Sequence, residues 1–330
     1  MKKLLAILLA GCMTLALAAC GSNASAPTET SGDGSVDYPG EELRILVPFQ
    51  TGGALDVQAR TTAKYLADEL GVNVIVENVP GAGGQLGTTE YLKEEANTDT
   101  ILLTDAWLLT VTPLLGPVQY TMEDYLPIID HNSTQFCLYA NPAKTGISSF
   151  EDLQAYGADN RVLFGSGGAG TSLYIVEKTL LDNMGIESDT ITQNGTAEGL
   201  ANLMAGTVDV SMSDFKGAAD YVKSGEIVPI VWFGEETYTD DGAYAAGIPC
   251  VQDKGIDMSY QGFYYYSIRK GTDQAIVDKL HDAFAAVYAN PDFQAECETI
   301  GYAPAGMASD EIAAYLDEFA AMVSSTFTLE

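Results

Sequence analysis

Three short apolar runs in this chain each end in a glycine-rich turn, and a helical pattern follows each turn. These three strands are predicted at 43–47, 73–77 and 161–164. A fourth strand, at 101–103, is predicted between the second and the third of them. The turns read PFQTGG, PGAGG and GSGGAG, at 48–53, 80–84 and 165–170. Apolar residues at helical spacing predict helices at 54–70, 85–95 and 171–184. Strands that alternate with helices predict parallel βαβ units, so an α/β fold is expected.

The same turns have a shared chemistry. The first N–H groups of a helix have no partner within it, and the helix dipole places partial positive charge there. Glycine lets a ligand approach those N–H groups closely. No Lys or Arg lies in the three turns, so we expect backbone amides and hydroxyls to hold a carboxylate; the hydroxyls belong to Thr51, Ser166, Thr171 and Ser172. In open α/β sheets such turns gather at the carboxyl ends of the strands, where two domains can face each other across a cleft.

The N-terminus predicts export. Lys2 and Lys3 precede an apolar run that reaches Ala19, as in a signal peptide over residues 1–19. The sequence LAAC at 17–20 reads as a lipobox, which predicts lipid attachment to Cys20; an ordinary secretory signal is the alternative. Residues 20–40 are small and polar, and they are expected to form a flexible tether between the lipid and the domains.

Charge and cysteine content exclude several classes. The 330 residues suit about two domains, and a formal charge of −31 disfavours partners such as nucleic acid or an anionic membrane surface. The three cysteines outside the signal and anchor show no metal spacing and are expected to be buried thiols rather than a disulfide; they are Cys137, Cys250 and Cys297. No cofactor and no metal are predicted.

The third turn also matches G-x-G-x-x-G, with Asp189 about twenty residues on, which is the dinucleotide fingerprint. That fingerprint normally opens the first βαβ unit of a cytoplasmic enzyme domain, whereas this turn is mid-chain in an exported protein. Contact with a carboxylate or another anion is therefore the preferred interpretation. Glycines that only turn the chain remain the plainer alternative.

Two segments carry a family resemblance: VPFQTGGALD at 47–56 and VENVPGAGGQLG at 76–87. They closely resemble the solute-binding proteins of tripartite tricarboxylate transporters (the Bug family), and weaker likenesses in the same order extend over residues 38–325. The resemblance implies a type II periplasmic-binding-protein fold. Domain 1 would comprise 41–132 and 255–330, and domain 2 would comprise 133–254. It further implies a monomer that binds a small organic acid in the cleft and passes it to a membrane permease.

The resemblance also assigns site residues position by position. They are Phe49, Gly52, Gly53 and Asp56 in the first turn, Gly81, Ala82, Gly83 and Gly84 in the second, and Ser166, Gly167, Thr171 and Ser172 in the third. Asp56 is expected either to cap its helix or to contact the ligand.

Several positions depart from the family pattern. Ser172 replaces a frequent His, Thr51 replaces a frequent Pro, and Gln193-Asn194 replaces Tyr-Lys. Ser213 aligns with a common Asp, and Asp214 is adjacent. These departures leave the ligand's far end undefined, and the amides of Gln193 and Asn194 suit a neutral or differently charged tail.

Two other functions compete with solute capture. An exported hydrolase needs a nucleophile and a base, but the chain has no G-x-S-x-G and its two histidines, His131 and His281, are expected to be structural or solvated. A sensor of the same fold that presents its ligand to a membrane kinase stays open. The aromatic run at 263–266 predicts a strand packed between domains; the alternative places the hydroxyl of Tyr264 or Tyr266 at the cleft.

Overall fold

The computed structural model describes residues 36–327, so the predicted signal, Cys20 and most of the tether lie outside the described residues. The last residues assigned to the tether pack on the protein. The side chain of Tyr38 is buried and its hydroxyl donates to the carbonyl of Thr98 at 3.0 Å, while Lys279 donates to the carbonyl of Val36 at 2.8 Å. Residues 36–40, which the sequence assigns to the predicted tether, are therefore held on the protein by one buried aromatic ring.

The described residues form nine strands. These are β1 (Glu42–Val47), β2 (Asn73–Asn78), β3 (Thr100–Asp105), β4 (Tyr125–Ala140), β5 (Val162–Ser166), β6 (Ser188–Thr192), β7 (Val210–Asp214), β8 (Val228–Trp232) and β9 (Gln261–Arg269). The predicted strands at 43–47, 73–77, 101–103 and 161–164 are confirmed, with ends shifted by one or two residues.

Twelve α-helices surround the strands. They are α1 (Ala54–Leu70), α2 (Gln85–Tyr91), α3 (Ala106–Thr110), α4 (Thr112–Leu115), α5 (Pro142–Thr145), α6 (Phe150–Asp159), α7 (Ser172–Asn183), α8 (Thr196–Ala205), α9 (Phe215–Ser224), α10 (Gln274–Tyr288), α11 (Pro291–Ile300) and α12 (Ser309–Thr326). Helix α2 ends four residues before its predicted end. Amides 92–94 bond to carbonyls three residues back, so the chain tightens into 3₁₀ turns there.

The strand order is β2-β1-β3-β9-β4-β7-β5-β6, with β8 also paired to β4. Strand β1 is parallel to β2 and β3, and β5 is parallel to β6 and β7, which confirms the predicted βαβ units. We call β2-β1-β3-β9 the first half of the sheet and β6-β5-β7 with β8 the second half. Each half repeats one arrangement, in which three parallel strands are followed by an antiparallel neighbour. This neighbour is β9 in the first half and β4 in the second.

Strand β4 joins the two halves. Its residues 125–135 pair antiparallel with β9, and its residues 136–140 pair with β7 and β8. The ladder partner changes between Gln135 and Phe136, so one continuous strand carries the chain from one half to the other.

The central parallel strands β1, β3, β5 and β7 are largely buried on both faces, as strands covered by helices are. One core packs the first half against α1, α10 and α11 through residues such as Ile45, Leu66 and Phe284. A second packs β5 and β7 against α7 through Phe164, Val176 and Met212. A fully buried side chain of this size contributes about 1.5–3 kcal/mol to folding.

His131 and Glu177 are among the ionisable groups buried in this framework. His131 on β4 is fully buried; its Nε2 faces Gln58 Oε1 at 3.1 Å and its Nδ1 faces the Tyr302 hydroxyl at 3.0 Å. Burial lowers the pKa of His131 to about 3, so the ring is neutral and structural, as the sequence predicted. Glu177 on α7 is also fully buried, and its Oε1 accepts the amide of Met212 at 2.8 Å.

The three remaining cysteines are confirmed as buried free thiols. Within residues 36–327, no helix has both the length and the apolar content needed to cross a membrane.

Candidate functional site

The loop after β1 is shaped by its own acidic residue. Asp56, 2% exposed, accepts the amide of Gly52 at 2.8 Å and forms an ion pair with Arg60 at 2.9 Å. Burial opposes the ionisation of Asp56, but the hydrogen bonds from Arg60, Gly52 and Asn78 outweigh it and lower its pKa. The carboxylate is thus used on its own loop, while Thr51, Gly52 and Gly53 are exposed.

The loop after β2 has an unusual backbone. Four successive residues have positive φ: Gly81 at 144°, Ala82 at 48°, Gly83 at 64° and Gly84 at 99°. Ala82 is one of two non-glycine residues with positive φ among the described residues, and such a conformation stores strain. The loop packs on its neighbours, because a Cβ at Gly84 would lie 2.6 Å from Leu108 Cδ1 and 3.4 Å from Phe49 Cε1.

The loop after β5 is held together by two of its own hydroxyls. Ser166 is buried, its Oγ lies 3.1 Å from Thr190 Oγ1, and it accepts the amide of Gly168 at 3.3 Å. The Thr171 hydroxyl donates to the carbonyl of Gly168 at 2.8 Å. Ser172 begins α7 and lies beside the Tyr260 hydroxyl. Ser166 and Thr171 therefore shape the loop, so its free backbone amides and Ser172 are the groups left to face a ligand.

The glycine loops of the two halves meet. A Cβ at Gly83 would lie 2.8 Å from Thr171 Cγ2, so the second loop touches the third directly. Beside them, Trp107 on α3 donates its indole N–H to the carbonyl of Gly170 at 3.2 Å. The structure therefore brings together the three predicted turns, which lie far apart in the sequence.

The remaining predicted residues are placed differently. Gln193 is buried, and its amide lies against Gly165 and Gly199 and donates to Ser211 at 3.3 Å. The side-chain amide of Asn194 donates to Glu198 at 3.1 Å, and so does its backbone amide at 2.8 Å. Both side chains are therefore engaged within the second half of the sheet.

Ser213 and Asp214 end strand β7. The Ser213 hydroxyl is buried and has no hydrogen-bond partner among residues 36–327. The Asp214 carboxylate caps α9 by accepting the amide of Gly217 at 2.7 Å.

The geometry does not support the dinucleotide alternative. Asp189 lies near the start of β6, where it pairs with Leu163 and forms an ion pair with Arg161 at 3.1 Å. The glycine turn lies at the other end of the parallel strand β5, after Ser166. The acidic residue and the turn are thus at opposite ends of the βαβ unit, whereas a dinucleotide needs both at the carboxyl edge.

Asp105 is not among the site residues predicted from the sequence, because the pattern predicts that β3 stops at Leu103. The strand continues to Asp105, whose carboxylate caps α3 by accepting the amide of Leu108 at 2.6 Å. Burial raises the pKa of Asp105 to about 7 against the opposing effect of the amides of Leu108 and Trp107. The signal that was available is the polar pair Thr104-Asp105 directly before an apolar helix start.

Tyr264 also borders the site. On β9 it pairs with Asp105, and its ring meets that of Phe49 edge-on with centroids 6.4 Å apart. The ring lies back over Gly262, where a Cβ would be 3.0 Å from the Tyr264 hydroxyl. Tyr266, two residues on, is fully buried against Phe284 and His131. Of the two tyrosines in the alternative interpretation, Tyr264 is thus the one beside the glycine loops.

Replacing Trp107 with phenylalanine should weaken ligand binding about fivefold. The substitution keeps an aromatic ring beside Tyr260, Phe319 and Phe327 but removes the hydrogen bond to Gly170, a neutral bond worth about 1 kcal/mol. Calorimetry measures the affinity. The matched control is Trp232→Phe, which loses the indole bond to the carbonyl of Glu236 and should leave affinity unchanged. Equal effects of the two substitutions would contradict a role for the Trp107 contact.

Two α/β halves joined by the shared strand β4, with glycine loops that meet between them, define the class of two-domain periplasmic binding proteins. Comparison with known sequences identifies the family. The sequence model "Tripartite tricarboxylate transporter family receptor" (TctC) matches residues 58–324, and the chain belongs to this family of substrate-binding proteins, which are not enzymes. A relative from Cupriavidus necator, the "UPF0065 protein in gbd 5'region", is 28% identical over 298 residues, covering 89% of this chain and 88% of the relative.

Solved structures agree on the fold. MatC from Rhodopseudomonas palustris with bound malate superposes with a TM-score of 0.77 at 20% identity, covering 89% of this chain and all of MatC. A second R. palustris protein, with adipate, gives a TM-score of 0.77 at 19% identity and covers 88% of this chain and 97% of its own. The family resemblance and the type II periplasmic-binding-protein fold predicted from the sequence are confirmed, and membership implies a location outside the cytoplasm.

Proposed function

We propose that this protein captures a small carboxylate between its two halves and delivers it to the permease of a tripartite tricarboxylate transporter. The observation that carries the proposal is the meeting of the Gly83 loop with the Thr171 loop. Both are glycine turns at the carboxyl ends of parallel strands, where unpaired amides favour an anion. The structural neighbours with bound malate and with adipate support the same ligand chemistry.

The proposed mechanism is closure. A carboxylate bound to one glycine loop adds an attractive partner for the loop of the other half, so the ligand has a higher affinity for the closed arrangement and shifts the population towards it. We also propose the domain division predicted from the sequence, the monomeric state and a lipid on Cys20. The lipid keeps the binding protein close to its membrane partner.

The test is thermal unfolding of the chain from residue 21 onward with a panel of mono-, di- and tricarboxylates, amino acids and nucleotides. A ligand at 100 times its Kd stabilises the folded state by about 2.7 kcal/mol, which moves Tm by several degrees. We expect shifts with one class of carboxylate and none with NAD. If no compound shifts Tm and mass spectrometry of the denatured protein finds no carried-over ligand, carboxylate capture is wrong.

A sensor that presents the same ligand to a membrane kinase is the second candidate, since the binding step is identical. Uptake of labelled ligand by cells separates the two. Transport requires that deletion of this protein abolishes uptake, whereas a sensor would change transcription and leave uptake by a constitutively expressed permease intact.

A further inference from the structure

The two halves end their third parallel strands in the same way. Strand β3 ends at Asp105 and β7 ends at Asp214, and each carboxylate accepts the amide three residues on, at 2.6 and 2.7 Å. These aspartates occupy equivalent places at the carboxyl edges of their halves. Among residues 36–327, neither forms an ion pair with Lys or Arg. Within this range no cationic side chain therefore pairs with the carboxylates at this edge of the sheet.

Of the two aspartates, Asp105 is the one whose helix contacts the glycine loops. Its helix α3 carries Trp107, which contacts Gly170, and Leu108, which contacts Gly84, so the helix that Asp105 caps touches both glycine loops. Its neighbour across the ladder is Tyr264, and Asp105 is partly exposed. Burial and the neighbouring ionisable groups raise the pKa of Tyr264. Its hydroxyl has no hydrogen-bond partner among residues 36–327. A free hydroxyl and a carboxylate thus stand beside the proposed carboxylate site.

This combination discriminates between ligands. A second ligand carboxylate placed here would lie next to a like charge and disfavour binding. An ammonium group would gain a charge-assisted hydrogen bond to Asp105, a second bond to the Tyr264 oxygen and attraction to the aromatic faces nearby.

We infer that the cleft selects an amino acid over the matching dicarboxylate or hydroxy acid, with the ligand carboxylate on the glycine loops and its ammonium group facing Asp105 and Tyr264. The inference rests on the proposed function and narrows its ligand class. The charge of the protein agrees with it, because a zwitterion is not repelled by a chain of formal charge −31.

Calorimetry on skeleton-matched acids tests the inference. Propionate, lactate and alanine differ at one carbon by hydrogen, hydroxyl and ammonium, and so do succinate, malate and aspartate. In at least one series we expect the amino acid to bind at least 100-fold more tightly than the other two acids of that series. Asp105→Asn should reduce this preference to tenfold or less, because asparagine still caps α3 but carries no charge. Asp152→Asn, which removes a carboxylate that accepts the amide of Ser148, is the control and should change nothing.

Affinity measured at several pH values gives a second test, because a purely structural role of Asp105 would not make binding depend on pH in this range. Tyr120, Tyr260, Tyr264 and Tyr265 face Asp105, and all four have raised pKa values, so they stay protonated between pH 6 and 8. Asp105 ionises in this window, and binding of an ammonium ligand should be about tenfold weaker at pH 6 than at pH 8. The Asp105→Asn variant should show no such dependence.

The outcomes are distinguishable. If no acid of either series binds, the proposed carboxylate function fails and the inference fails with it. If acids bind but the amino acids have no advantage, or if Asp105→Asn keeps the advantage, the inference alone is overturned.

Discussion

Replacing Gly83 with valine should weaken ligand binding at least 100-fold while leaving the protein folded. Gly83 has φ +64°, where a β-branched residue is strained, and a Cβ there would lie 2.8 Å from Thr171 Cγ2. The added side chain therefore both distorts the loop and holds the two glycine loops apart. Gly83 is exposed, so the global free energy of unfolding should fall by only about 1–3 kcal/mol. Calorimetry and a melting curve measure the two effects separately.

A double-mutant cycle isolates the contact from the backbone strain. Gly83→Ala should also weaken binding, and Thr171→Ser should restore most of it, because serine lacks the Cγ2 methyl but keeps the hydroxyl bonded to Gly168. The matched control is Gly225→Ala, which has a similar φ of +75° but open space around its Cβ. Unchanged affinity in Gly83→Val would refute the assignment of this loop to the ligand site.

Glu177→Gln should make the protein more stable at neutral pH, and this is the largest stability gain expected from a single change. Burial raises the pKa of Glu177 well above its ordinary value, against the opposing bond from Met212. A raised folded-state pKa means that stability is complete below the unfolded value of about 4.3 and is lost as pH rises, by about 1.4 kcal/mol per pH unit until the folded pKa is passed. Glutamine keeps the oxygen that accepts the Met212 amide and carries no proton to lose.

Denaturant unfolding from pH 4 to pH 8 tests this expectation. The free energy of unfolding of the variant should equal that of the wild type near pH 4. Above pH 5 it should exceed the wild-type value by an amount that grows about 1.4 kcal/mol per pH unit. Glu235→Gln, at an exposed position, is the control and should run parallel to the wild type. A constant difference between Glu177→Gln and the wild type at all pH values would mean that the carboxyl is ionised in the fold.

Local patterns were sufficient to predict the βαβ units and the three turns, because both depend on spacing and on glycine within a few residues. The crossing strands depend on distant partners. Strand β4 has 16 residues whose partner changes midway, and nothing in its own sequence marks the change at Gln135.

The candidate site was predictable to the same extent. The glycine loops carry a local signal, whereas the position of Asp105 beside Tyr264 arises only from strand pairing across 159 positions of sequence. Gln193 shows the opposite error. It follows strand β6 as a pocket residue would, but the missing side chains of Gly165 and Gly199 leave space that its amide fills. Such packing becomes visible only when three separate segments are assembled.

The shared strand β4 has a consequence for how such a protein diversifies. Backbone bonds hold it to β9 up to Gln135 and to β7 and β8 from Phe136 onward, so rotation of one half must be absorbed by the torsions of a few peptide units near this change of partner. In the proposed closure, the amplitude of the rotation is therefore set by residues near Gln135 and Phe136, which lie outside the glycine loops. Substitutions in the glycine loops can therefore change which ligand is bound. Substitutions in β4 near Gln135 can change the angle of rotation separately.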